Sequence, residues 1–218
     1  MNPEKARYKA DNMDRLARRD RILLNNPVVM QGLGLAPLVV AATSAQNALM
    51  LSVAVAMLLL PVRILAGRIC SMVKLPFCWR GFVYCLVSGT LYIAVHQVMN
   101  TIYDVQIVQL GLYLPLLVTE PLIIKRNERP QEERIVTALR KGVLTTLGYV
   151  LMLMLIGSLR ELLTLGTVFG HTLTTRRFLP IATLPAGGFL LLGVVCAVWR
   201  AAVSAYKKHV NMEAKRGI

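Results

Sequence analysis

From Ile22 to Val62 the chain carries no Asp, Glu, Lys or Arg. A run of that length without charge cannot be the wet surface of a domain. It is long enough for two short helices across a hydrocarbon core, each needing about 20 apolar residues. Further uncharged runs, Gly81–Tyr103, Val105–Thr119, Gly142–Leu159 and Phe178–Trp199, provide room for one span each. The sequence therefore predicts an all-α integral membrane protein with six transmembrane elements. A mean hydropathy of +0.56 and a 56% share of hydrophobic residues fit that class better than a soluble one.

The formal net charge of +14 would point to nucleic acid in a soluble protein. Here topology explains it, and no nucleic-acid partner is expected. With the N-terminus inside, the basic residues up to Arg21 fall on the cytoplasmic side. So do Arg63, Arg68, Lys74 and Arg80, the cluster from Lys125 to Lys141, and the residues from Arg200 onward. Arg160, Arg176 and Arg177 fall on the other side, a bias that follows the positive-inside rule. Both termini are expected in the cytoplasm. The charged N-terminal segment, residues 1–25, lacks the pattern of a cleaved signal peptide. It reads either as a surface helix touching the membrane through Leu16, Ile22 and Leu23 or as a solvated tail.

Two stretches share a phrase. Gly32–Thr43 is GLGLAPLVVAAT, and Leu110–Thr119 is LGLYLPLLVT. Aligning them at Pro37 and Pro115 divides the membrane domain, residues 26–206, into two halves of three spans, followed by a tail over 207–218. Three is odd, so the second half enters the membrane from the opposite side. The expectation is two inverted three-helix repeats with broken first and fourth helices. Gly34 and Pro37 mark the first break, Gly111 and Pro115 the second. Proline removes a backbone donor and crowds the preceding turn. Broken backbone at membrane depth must be covered by protein or face a cavity.

At these residues a resemblance becomes specific. NNPVVMQGLGLAPLVVA, LGLYLPLLVTEPLIIKRNE, IGSLRELLTLGTVFG and LPIATLPAGGFLLLG are similar, in order and spacing, to the six-helix membrane subunits of the Rnf/Nqr respiratory complexes. The N-in orientation resembles the Rnf E-type (Nqr D-type) subunit. The resemblance implies a multi-pass subunit of the bacterial inner membrane, paired with an oppositely oriented sister and with other Rnf-type subunits in an ion-translocating electron transport complex. In that family each broken helix supplies one cysteine to a 2Fe-2S cluster shared with the sister, and other subunits carry flavins. This chain departs there. Ala36 stands where the first motif has cysteine, and Glu120 and Pro121 stand where the second ends in Asn-Cys. Neither alanine nor proline can bind iron, and a lone carboxylate does not replace two thiolates. No cofactor is expected on this chain, and Ala36 and Pro121 are vacated ligand positions.

Three ionisable residues are candidates for an ion pathway. Glu120 interrupts an uncharged run, where a charge needs a partner or a cavity; it would bind a cation or relay a proton, or else pair with Lys125 or Arg126. Arg160 and Glu161 end the Gly142–Leu159 run and match the Arg-Glu of the family's fifth helix. Adjacent helical residues do not face each other, so each must find separate partners, as anchors or along an ion path. His96 reads as a hydrogen-bonded interior residue, and His171 has less support still. Of the four cysteines, Cys70, Cys78, Cys85 and Cys196, none forms a Cys-x-x-Cys pair, and all read as small buried hydrophobes. Basic loops would hold anionic lipid headgroups. No catalytic motif is present, so any catalysis belongs to a complex. The leading expectation is an E-type membrane subunit that does not itself ligate the cluster. The alternative is a non-redox transporter, scaffold or assembly paralogue on the same fold.

Overall fold

The computed structural model describes residues 12, 20–73, 76–124, 135–174 and 178–216. The surface helix expected around Leu16, the pair Lys125–Arg126 and the outer arginines Arg176 and Arg177 lie outside the described residues. The side chains of Cys78 and Pro121 do too.

Among the described residues, four helices are long and apolar enough to cross a membrane. They are α1 (Ala45–Val73), α2 (Phe77–Tyr103), α5 (Ile135–Leu165) and α6 (Pro185–Arg216). The two remaining apolar stretches are built from short pieces. The first, residues 20–42, is a series of turns followed by a single π-helical turn, Pro37–Ala41. The second comprises a 3₁₀ segment Asp104–Leu110, the one-turn helix α3 (Tyr113–Leu116), a 3₁₀ turn Leu117–Thr119, and a further one-turn helix, α4 (Pro121–Ile124). Among the described residues, four of the expected elements are thus long helices, and the other two stretches hold short pieces.

The centre of the molecule is the pair α1 and α5. About half of the most apolar window of each is buried within the chain, 56% and 50%, against 22% for both α2 and α6. Met50, Leu51, Val55, Leu58 and Leu59 of α1 and Met152, Leu153 and Ile156 of α5 form the core with Leu38 and Val39 of the first stretch. The two helices approach closely at Gly157, where a Cβ would lie 2.6 Å from Cβ of Ala48. Small residues permit such approaches, and dispersion across them holds helices together in lipid. The outer faces of α2 and α6 expose Ile93, Ile102, Leu190 and Val198, side chains suited to hydrocarbon.

Two boundaries differ from the charge-based expectation. α1 runs through Pro61 to Val73, carrying Arg63 and Arg68 inside a helix rather than a loop. Arg63 is buried, its stem packed over Gly142 of α5, as long basic side chains do when they bury their methylenes. At the other end, the run Phe178–Trp199 is not one helix. Pro180 opens a 3₁₀ turn, Pro180–Thr183, that folds back against α5, and α6 begins only at Pro185. Proline is favoured at the first position of a helix and disfavours helix in the residue before it. Between α5 and this turn lies a hairpin of β1 (Thr167–Val168) and β2 (His171–Thr172).

Candidate functional site

The first broken stretch is fixed at both ends and in its middle by side chains from elsewhere. Asn26 is fully buried. Its Nδ2 donates to the carbonyls of Ile22 and Gly148, each at 2.9 Å, and its Oδ1 accepts from the amide of Val28 at 2.9 Å. Gly34 takes φ +70°, which an L side chain rarely adopts. A Cβ there would also collide with the ring of Tyr149 on α5. The Tyr149 hydroxyl donates to the Gly34 carbonyl at 2.8 Å, so the ring occupies the space the glycine leaves and satisfies the backbone acceptor it exposes.

Beyond Pro37 the chain makes one π-helical turn and ends at Ala42, leaving carbonyls without an intrahelical donor. Arg160 of α5, only 1% exposed, supplies the donors. Its Nη1 donates to the carbonyl of Val39 and, at 3.3 Å, to that of Ala42. From the other side its Nε donates to Ala182 O at 2.9 Å and its Nη2 to Thr183 O at 3.0 Å. One guanidinium therefore joins two irregular segments, the π-helical turn and the 3₁₀ turn before α6. Gly188 makes room for it: a Cβ at that position would lie 2.9 Å from Val39 O and 3.3 Å from the guanidinium carbon.

Glu161 faces the other way. Its Oε2 accepts from the amide of Ala45 at the start of α1 at 2.8 Å, and its Oε1 accepts from Thr167 Oγ1 at 2.9 Å and Gly170 N at 3.0 Å. A carboxylate at a helix N-terminus meets free amides and the positive end of the helix dipole. The second group of donors belongs to the β1–β2 hairpin, whose turn residues Phe169 and Gly170 have φ of +52° and +77°. The two adjacent residues thus form a clasp: Arg160 gathers carbonyls and Glu161 gathers amides.

Glu120 lies in extended backbone between the 3₁₀ turn and α4, half-buried. Gly111 has φ +48°, with Val108 O in ordinary contact 3.9 Å from its Cβ position, and Pro115 lies exposed in α3. Ala36 is exposed immediately before Pro37. Neither Ala36 nor the Glu120–Pro121 position offers a thiol. Among the described residues, Cys70, Cys85 and Cys196 are in no disulfide and belong to α1, α2 and α6. Among the described residues no group of three or more His, Cys, Asp or Glu could hold a metal ion. His96 is exposed on α2, its ring 5.7 Å from that of Tyr92.

Asn26 and Tyr149 were not singled out by sequence. Asn26 left a usable signal, as a polar residue before Pro27 at the entry to a break. Tyr149 left none, because an aromatic residue within an apolar run is ordinary.

A family model described as "Rnf-Nqr subunit, membrane protein" matches residues 17–196. The E-type subunit of the ion-translocating oxidoreductase complex of Haemophilus ducreyi is 32% identical over 195 residues, covering 82% of this chain and 85% of that protein. Its counterpart in Pseudomonas paraeruginosa is 33% identical over 201 residues, with 83% and 81% covered. That of Shewanella oneidensis is 31% identical over 191 residues, with 80% and 81% covered. The family match runs through both broken stretches and the Arg160–Glu161 clasp, and the chain belongs to the Rnf-Nqr family of membrane subunits.

Proposed function

We propose that the chain is the E-type membrane subunit of an ion-translocating oxidoreductase complex and that it ligates no iron–sulfur cluster itself. The observation that carries the first part is the likeness to E-type subunits along most of both chains. It favours a complex over a free-standing transporter. Ala36 and Pro121 support the second part, since a 2Fe-2S cluster needs thiolates and these positions have none to give. The chemistry of electron transfer would then belong to other subunits, and this chain contributes scaffold and membrane passage.

Within that role the chain forms two inverted three-element repeats, the broken stretches at residues 26–42 and 104–124 being the first element of each. Both termini lie in the cytoplasm across a bacterial inner membrane, and an oppositely oriented sister subunit pairs with it. The glycine and proline phrases and the distribution of Lys and Arg support this arrangement. Glu120 is the ion-pathway residue best suited to handling a cation or proton. Arg160 and Glu161 flank that path as the clasp that sets the first break.

The test is purification of the tagged chain from its native membranes in mild detergent, with mass-spectrometric identification of what accompanies it and iron determined per chain. Recovery of a second Rnf-Nqr protein and flavoproteins is the expected result. Recovery of the chain alone would overturn the complex. Iron that was lost on mutating Cys70 and Cys78 would overturn the absence of a cluster on this chain.

A further inference from the structure

Before α6 the chain folds back instead of running on as helix, and hydrogen bonds fix its level along α5. The amides of Phe178 and Leu179 both donate to Leu163 O, at 3.1 and 3.0 Å. The carbonyls of Ala182 and Thr183 accept from Arg160. Residues 178–184 therefore lie beside the last turns of α5, level with Arg160 and Leu163 rather than beyond its end at Leu165. Lys141 is the last basic residue before the uncharged part of α5. From there to Leu163 a helix rises about 33 Å, close to the roughly 30 Å of hydrocarbon in a bilayer. The turn sits at the far boundary of the apolar layer.

We propose that residues 178–184 are a lipid-facing anchor, covered by acyl chains of the leaflet remote from Lys141. The side chains that the fold leaves uncovered there are apolar: Phe178, Leu179, Ile181 and Leu184 are each about half exposed. The one polar side chain of the turn, Thr183, spends its hydroxyl on Pro180 O at 2.8 Å. The backbone is closed in the same way. The amides of Ala182 and Leu184 donate to Leu179 O and Ile181 O, both at 3.1 Å, and Pro180 has no amide to satisfy. A turn in water has no need of such closure, whereas non-helical backbone at membrane depth must find its partners within the protein. The apolar face also continues onto Phe189 and Leu190 of α6, which are exposed where that helix crosses the membrane. A protein partner would meet polar groups that fix its orientation; residues 178–184 offer none. Past the end of α5 the polarity changes, with His171 and Thr172 of the hairpin exposed. This placement depends only on α5 and α6 crossing the membrane and not on any role in electron transport.

The test is fluorescence quenching in phospholipid nanodiscs, on the full chain with whatever subunits accompany it. Phe178→Trp and Ile181→Trp each add one indole at an exposed apolar position, and the emission of the unmodified preparation is subtracted. Thr172→Trp on the hairpin serves as the polar reference. Brominated acyl chains should quench the emission added at 178 and 181 at least about twofold, more with bromines near the head groups than near the bilayer centre. Acrylamide in the water should quench it severalfold less than the emission of Thr172→Trp. Two results would overturn the proposal at either position. Ready quenching by acrylamide would put the turn in water, and shielding from both quenchers would put it under protein.

Discussion

The two broken stretches share a sequence phrase and differ in how the fold holds them. Side chains of α5 and α6 reach into the first: Tyr149 at Gly34, Arg160 at Val39 and Ala42, and Arg200 at Val29. Leu38, Val39 and Ala42 are fully buried there. Among the described residues, the second receives one side-chain hydrogen bond from another element, Gln46 Nε2 to Gln106 Oε1 at 2.9 Å. It is held by apolar packing on one side, with Ile107, Leu110, Leu114 and Leu117 in the core, while Val105, Val108 and Leu112 face outward, exposed by 74%, 72% and 78%. Glycine and proline interrupt a helix in either place. What happens to the freed backbone groups depends on which polar side chains the neighbouring helices offer, and only the first stretch has a full set.

The largest effect that could break this contrast is loss of Arg160. Arg160→Ala strands the carbonyls of Val39, Ala42, Ala182 and Thr183 and opens the joint between the π-helical turn and the turn before α6. A loss of about 3–5 kcal/mol is expected, as for other breaks in a buried charged network. Arg160→Lys should recover little of it, because an ammonium lacks the planar fork that reaches both segments. Thermal unfolding in detergent or nanodiscs measures both, and a lysine variant as stable as the parent would argue against the clasp.

Next in size is Gly34→Ala. Positive φ and collision with the Tyr149 ring act together there, for an expected loss of about 2–3 kcal/mol. The matched change Gly111→Ala sharpens the contrast. Gly111 also has positive φ, but its nearest foreign atom, Val108 O, lies 3.9 Å from the Cβ position. Only the backbone cost remains, about 1 kcal/mol. Equal losses at the two glycines would contradict the difference in packing. Between these falls Tyr149→Phe, which leaves the Gly34 carbonyl without its donor while keeping the ring. It should cost about 1–2 kcal/mol, read from the same melting curves.

Much of this organisation was legible in the residues. Uncharged runs located α1, α2, α5 and α6, and Gly34, Pro37 and Gly111 flagged the interruptions. Charge patterning misjudged where helices stop, because a buried arginine such as Arg63 can continue a helix once its stem has a surface like Gly142 to cover. Hydropathy could not separate the folded-back Phe178–Leu184 segment from α6, since both are apolar; the prolines at 180 and 185 were the better guide. Arg160 and Glu161 were visible as charges beside an apolar run. Their partners were not, because backbone carbonyls and amides carry no residue-type signature.

The chain pins its first break with side-chain hydrogen bonds from α5 and α6 and holds the second mainly by apolar packing. Hydrogen exchange of the purified chain, resolved by peptide, tests this contrast most directly. Amides of residues 28–42 should exchange at least about tenfold more slowly than those of residues 105–119, reflecting the higher opening free energy of a pinned segment. Arg160→Ala should narrow that difference, most at residues 37–42. Equal exchange in the two stretches of the unmodified chain, or a difference unchanged by loss of Arg160, would contradict it.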